Sequence, residues 1–376
     1  MRRSPWFAKI LAVVWLCAFP GAGSGMVCAQ NLILSTSDAS SDAVDVLETA
    51  DLPSAVFAEP DSVDTEKPEG FHIELPGSFV AELPNQATVA AMPASEFRVI
   101  STRNGAPQWQ VRGDDGQFRR TNESTFRETT DTTLPLVVFV HGNQTSHNRA
   151  IGMGCELYRL LCSEKISFRL VVWSWNSDCE SLAVRIDSRL KADRADAQAV
   201  PLASFIASQP AESPVILVGY SFGCRTIGGA AQLCAGGKWL GKRLAFASAG
   251  LESTANTRVL RSIDAAIFIA AAMDDTNFQT GGGMDVAFDA IGRSLITVNP
   301  CDQALAFYPM ISDQCRSATG FGGPNGVPAA QVSRVRLLDV SREAGPLHLW
   351  ESYFSGSQLG CRIAAAVREA TPVLAH

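Results

Sequence analysis

The pentapeptide Gly219-Tyr-Ser-Phe-Gly223 follows the apolar run Pro214-Val-Ile-Leu-Val218 and precedes Cys224-Arg-Thr-Ile-Gly-Gly-Ala-Ala-Gln-Leu-Cys234. The first flank reads as a strand buried on both faces and the second as a helix. A serine between two glycines at such a junction sits on a sharp turn. The glycines let strand and helix pack closely around it, and its hydroxyl projects at the carboxyl end of the sheet, beside the helix N-terminus. The pattern occurs once in the chain. It demands an open sheet whose strands feed helices.

The surrounding sequence supplies such a sheet. Phe97–Arg103 alternates as a strand, Gln108–Arg112 follows as its hairpin partner, and Asp114-Asp115-Gly116 is a turn signal. Leu134–Val140, Phe168–Trp175, Ala265–Ala270, Ser294–Val298 and Val335–Val340 are further apolar runs. Helical spacing covers about 148–163, 188–208 and 357–370. With the strand before Ser221 this makes eight strands alternating with helices, which predicts a mostly parallel sheet covered on both faces. The charge run Arg185, Asp187, Arg189, Lys191, Asp193, Arg194 and Asp196 reads as a solvated helix face. The glycine-rich stretch between Asn277 and Phe288 reads as a small flap.

Ahead of this body lie two segments of other character. Met1-Arg-Arg3, the apolar Ile10–Phe19 and the site Val27-Cys-Ala29 read as a signal peptide cleaved near Ala29, so the chain is expected to be exported. The alternative is an uncleaved N-terminal membrane anchor. The apolar run is short for a comfortable span, and no other stretch is apolar enough. Residues 30–96 carry thirteen acidic residues against one lysine and only three Phe, Tyr or Trp. A segment so poor in core-forming residues reads as a disordered acidic linker. The formal charge of −7 therefore belongs to the linker, since residues 97–376 carry 25 acidic and 27 basic groups. No basic stripe interleaved with aromatics is present, which argues against nucleic acid as a partner. Eight cysteines follow Ala29. Their spacing contains no C-x-x-C, and no H-E-x-x-H occurs, so a zinc site has no support. Export permits disulfides, and the pairing stays open.

A serine hydroxyl needs a base to take its proton and an acid to orient that base. Of the five histidines, only His348 and His376 follow Ser221. His376 is the terminal residue, whereas His348 sits in Gly345-Pro-Leu-His-Leu-Trp350, just past the last strand. Asp302, in Asn299-Pro-Cys-Asp302 after a strand, is the favoured acid, because Asn-Pro turns the chain sharply. Asp274 and Asp275, after the preceding strand, are the alternatives. His141-Gly-Asn-Gln144 follows another strand end. Backbone amides there, of Asn143 or Gln144, together with that of Phe222, are the candidate oxyanion donors. His141 itself reads as structural.

Val140-His-Gly-Asn143, Val171-Val-Trp-Ser-Trp175, the Ser221 pentapeptide, Asn299-Pro-Cys-Asp302 and Gly345-Pro-Leu-His348 together resemble the α/β-hydrolase superfamily, over residues 97–370. The set is similar to a branch of exported bacterial serine hydrolases. The resemblance implies an eight-stranded, mostly parallel sheet, the triad Ser221, Asp302 and His348, and no cofactor. The chain departs from typical lipases in lacking a long inserted lid, so little or no cap domain is expected. A serine at the nucleophile position argues against the epoxide hydrolases and haloalkane dehalogenases of this superfamily, which resemble carboxylate-nucleophile enzymes. The expected activity is hydrolysis of a small-molecule carboxylic ester through an acyl-enzyme. The alternatives are an amidase or peptidase with the same triad, and a binding protein on a hydrolase scaffold.

The linker reading makes a direct prediction. A truncated chain beginning near residue 95 is expected to unfold cooperatively at nearly the melting temperature of the full chain. A large drop in melting temperature would contradict it.

Overall fold

The computed structural model describes residues 95–180, 183–244, 259–354 and 357–370. The expected signal segment and nearly all of the acidic stretch lie outside the described residues. No helix among the described residues is long and apolar enough to cross a membrane.

Nine strands form one sheet: β1 (Ser95–Ser101), β2 (Gln108–Arg112), β3 (Phe118–Thr121), β4 (Leu136–Val140), β5 (Phe168–Ser174), β6 (Val215–Tyr220), β7 (Ile263–Ile269), β8 (Ile291–Val298) and β9 (Val335–Asp339). Their order is β3-β2-β1-β5-β4-β6-β7-β8-β9. The β1–β2 and β2–β3 pairs are antiparallel, and every other pair is parallel. The count corrects the expectation of eight. The additional strand is β3, whose Phe118-Arg-Arg-Thr sequence is short, charged and half-exposed at the sheet edge. Pairing with β2 across a turn at Gly113–Gly116 holds it, and no hydrophobic run advertises it.

The central strands are as the sequence requires. Every residue of β4, β5 and β6 is buried. Successive side chains point to opposite faces, and the helices divide accordingly. Trp173 donates its indole N–H to Gln198 of α2 (Val184–Ala207), while the neighbouring Val172 packs at Gly154 of α1 (His147–Ser163). On the α2 face, α2 packs against α3 (Gly223–Cys234). On the other, α1 contacts α4 (Ser357–Ala370). A β4–α1–β5 crossover and a β5–α2–β6 crossover that run in opposite directions along the sheet must place their helices on opposite faces if both are right-handed.

Two further expectations are overturned. The charge run on α2 is not a solvated face. Asp187 and Lys191 are fully buried and Asp196 nearly so, whereas Val184, Ile186 and Leu190 are exposed. The first turns of α2 are therefore inverted. Lys191 Nζ lies 3.4 Å from both Asp187 Oδ1 and Glu180 Oε1, and Arg194 closes on Glu180 as well, so ion pairing to the preceding loop decides which side faces inward. The stretch from Asn277 to Phe288 is not a flap. Phe278, Met284 and Phe288 are buried, the two phenylalanine rings stack at 4.4 Å, and Asp285 accepts a hydrogen bond from Gln232 in the last turn of α3.

Two glycines on α1 test the packing against β5. A Cβ on Gly154 would stand 2.3 Å from Val172 Cγ2 and 3.1 Å from Phe97 Cζ, whereas nothing lies within 4 Å of one on the exposed Gly152. Gly154→Ala is expected to cost about 1–3 kcal/mol through overpacking. Gly152→Ala should gain about 0.5–1 kcal/mol from helix propensity. Urea unfolding of the two variants checks the opposite signs.

Candidate active site

Parallel register sets the site. Val140 of β4 pairs with Gly219 of β6, so the loop leaving β4 emerges beside the turn that leaves β6. At that turn Ser221 has φ +53°, a left-handed conformation unusual for a residue with a Cβ. Its amide donates to Ile269 O at 2.9 Å, and its carbonyl accepts from Cys224 N at 3.1 Å. The flanking glycines serve packing. A Cβ on Gly219 would lie 2.9 Å from Cys224 N, and one on Gly223 would lie 2.1 Å from Val140 O. A Cβ on Gly142 would lie 2.8 Å from Ser221 Cβ, so three glycines surround the serine with bare backbone.

The serine hydroxyl lies 2.8 Å from His348 Nε2, and the opposite ring nitrogen, Nδ1, lies 2.7 Å from Asp302 Oδ2. With Nδ1–H donating to the carboxylate, Nε2 is left as the acceptor for the serine. Tyr220, the residue before the serine, fixes the histidine twice. Its ring stacks on the imidazole at 5.6 Å and 23°, and its hydroxyl donates to His348 O at 3.0 Å. Asp302 is fully buried and caps the helical turn Gln303–Ala306, Oδ1 accepting from Leu305 N at 3.0 Å. Oδ2 accepts a second bond, from Tyr353 Oη at 2.6 Å. Burial pushes the Asp302 carboxyl up, but the adjacent His348 and the hydrogen bonds from His348, Tyr353 and the Leu305 amide outweigh it, and the carboxyl lies below its ordinary value.

The alternative acids stand elsewhere. Asp274 Oδ1 accepts from Tyr308 Oη at 2.9 Å; that hydroxyl accepts in turn from Arg225 Nη1 at 2.9 Å, and Arg225 forks onto both carboxylate oxygens of Asp196. This line joins α2, α3 and the loops after β7 and β8. Asp275 has its Oδ1 buried without a hydrogen-bond partner among the described residues, and burial raises its carboxyl. Neither reaches His348.

His141-Gly-Asn-Gln144 leaves β4 against the serine. His141 is fully buried and stacked on Trp175 at 5.5 Å and 4°. Its Nδ1 donates to Gly142 O at 2.9 Å, its Nε2 accepts from Trp175 N at 3.1 Å, and its carbonyl accepts the Trp175 indole N–H at 2.9 Å. Gln144 takes φ +50°. Among the described residues, the amides of Asn143, Gln144 and Phe222 have no hydrogen-bond acceptor. Cys224 and Cys234 are buried on α3, and burial raises both thiols, that of Cys234 to about 12.

Sequence reasoning missed Tyr220, Tyr353, Arg225 and Tyr308. Tyr220 lies inside the pentapeptide at its variable position. Tyr353 lies in a short helix after His348, and nothing in its spacing marks it.

No family model matches the chain, and no curated protein matches it. Among solved structures, the chain is similar to an iodinated complex of acetyl xylan esterase, with 15% identity, a TM-score of 0.34, and 63% of this chain and 99% of that one covered. A second acetylxylan esterase structure gives 14% identity, a TM-score of 0.34, and coverage of 63% and 98%. At those TM-scores neither likeness bears on what this chain does.

His141 carries a pH-dependent share of stability. Burial takes its imidazole down from 6.5 to about 3, against the raising effect of the Gly142 carbonyl and with Arg103 and His147 adding to the fall. The unfolded chain then binds the proton that the folded chain refuses. Stability from the neutral ring is whole above pH 6.5 and falls as pH drops through 6.5 toward 3. Between pH 7.5 and 5 this is about 2 kcal/mol. The unfolding free energy of wild type minus that of His141→Gln is expected to shrink by that amount over the interval; a constant difference would contradict it.

Proposed function

We propose that this chain is a serine hydrolase of the α/β-hydrolase type that cleaves small-molecule carboxylic esters through an acyl-enzyme on Ser221. The observation that carries the reading is the unbroken line Ser221 Oγ–His348 Nε2 at 2.8 Å and His348 Nδ1–Asp302 Oδ2 at 2.7 Å, at the carboxyl edge of a parallel sheet. In this reading His348 accepts the serine proton as Oγ attacks the acyl carbon. Asp302 holds the imidazole in the Nδ1–H tautomer and stabilises the imidazolium. The free amides of Phe222 and of Asn143 or Gln144 receive the oxyanion, with Gly142 giving the substrate room beside Ser221. His348 then protonates the leaving alcohol and activates water for deacylation. The site is read as lacking a cap domain. The basic and apolar N-terminal segment supports export as the setting of the reaction.

The reading is tested with p-nitrophenyl acetate and butyrate, matched amides and a fluorophosphonate probe. Wild type should be labelled at Ser221 and turn over the esters faster than the amides. Ser221→Ala and His348→Ala should each remove nearly all turnover, and the double variant should be little worse than either, because the residues act as a unit. Asp302→Asn should lower kcat roughly 10⁴-fold, while Asp274→Asn and Asp275→Asn do much less. Faster amide turnover would move the chain to the amidases. Folded protein without labelling or Ser221-dependent hydrolysis would reduce it to a binding scaffold.

A further inference from the structure

Asp302 Oδ2 accepts two hydrogen bonds, one from His348 Nδ1 at 2.7 Å and one from Tyr353 Oη at 2.6 Å. The tyrosine hydroxyl has a second neighbour, Asn299 Nδ2 at 3.1 Å. The orientation of the Asn299 amide is fixed by its other contacts: Nδ2 also donates to Gly345 O at 2.8 Å, and Oδ1 accepts from Cys301 N at 3.0 Å. Asn299 therefore presents a donor to Tyr353. A hydroxyl has one proton. Facing an amide donor on one side and a carboxylate on the other, it must direct that proton at Asp302. Burial, with the Asp302 charge adding to it, raises the Tyr353 phenol far above its ordinary value, so the proton stays on the tyrosine. Asn299 and Asp302 are fully buried and Tyr353 nearly so, which removes water as a competitor for these bonds.

We infer that Tyr353, oriented by Asn299, is a positioning residue that sets the strength with which Asp302 holds His348. It acts by drawing electron density from the same carboxylate oxygen that accepts the imidazole N–H. A carboxylate relieved of that bond is a stronger acceptor, binds an imidazolium more tightly, and keeps the base protonated to higher pH. Asn299 also ties the Asp302 loop to Gly345 at the head of the histidine loop, and the N–H of His348 and the O–H of Tyr353 converge on the one carboxylate oxygen. The inference deepens the serine hydrolase reading, yet its main readout needs no substrate.

The test follows the downfield Nδ1–H proton resonance of His348 across pH in the full chain, assigned by its loss in His348→Gln. Tyr353→Phe keeps the ring and removes the hydroxyl. It should shift the resonance further downfield and raise its pH midpoint by about half to one unit. Placing 3-fluorotyrosine at 353, a stronger donor of nearly the same shape, should move the midpoint the other way. A residue serving only to fill space would not give opposite signs. With p-nitrophenyl butyrate, the acid limb of kcat/KM in Tyr353→Phe should move up in pH with the resonance, by the same rise of about half to one unit. A His348 midpoint that is the same in wild type, Tyr353→Phe and the fluorotyrosine protein overturns the inference, even where ester turnover is intact. Wild type without ester turnover would sink the hydrolase reading, and the resonance would still decide the role of Tyr353.

Discussion

Ser221 turns left-handed because three strand ends close around it. Its amide is held by the end of β7, and its carbonyl by the first turn of α3. The end of β4 leaves no room for a side chain at Gly223. A non-glycine residue in this region carries a strain of about 1–3 kcal/mol, and here the surrounding backbone bonds outweigh it. The serine hydroxyl is thereby aimed out of the sheet edge, toward the loops that bring His348 and Asp302. Neither flanking glycine has positive φ. They are glycines because neighbouring backbone approaches them, and the unusual dihedral is left to the serine.

The Asp302 loop is fixed by polar bonds. Asp302 caps its own helical turn, Asn299 joins the loop to Gly345, and Gln303 N donates to Pro346 O at 3.1 Å. The Arg225–Asp196 pair with Tyr308 and Asp274 braces the same loop from the α2 and α3 side. Breaking such a buried pair on one side leaves an uncompensated charge, which makes these groups a rigid brace.

Much of this was legible in the sequence where apolar runs decide the outcome. β4, β5 and β6 are continuous hydrophobic runs, and α4 spans the residues its spacing indicated, 357–370. Of the site, the sequence order of Ser221, Asp302 and His348 and their positions after strand ends were readable, since loops at strand ends are where such groups must converge. What escaped depends on long-range partners. β3 exists through its pairing with β2. The buried face of α2 is chosen by Glu180 and Arg225, which lie outside the helix. Tyr353 meets Asp302 across 51 residues of chain, a distance no local periodicity encodes.

Tyr220 gives the site an unusual mechanical property. Its hydroxyl holds the main-chain carbonyl of His348, while its own backbone is bonded covalently to Ser221. His348 is thus tethered to the residue next to Ser221 through one rigid aromatic ring, by a path separate from the Asp302 line. Thermal motion that carries the histidine loop outward must tilt that ring and pull on the turn itself. Ser221 and His348 consequently drift as a pair, and their separation is buffered against breathing of the loops that surround them.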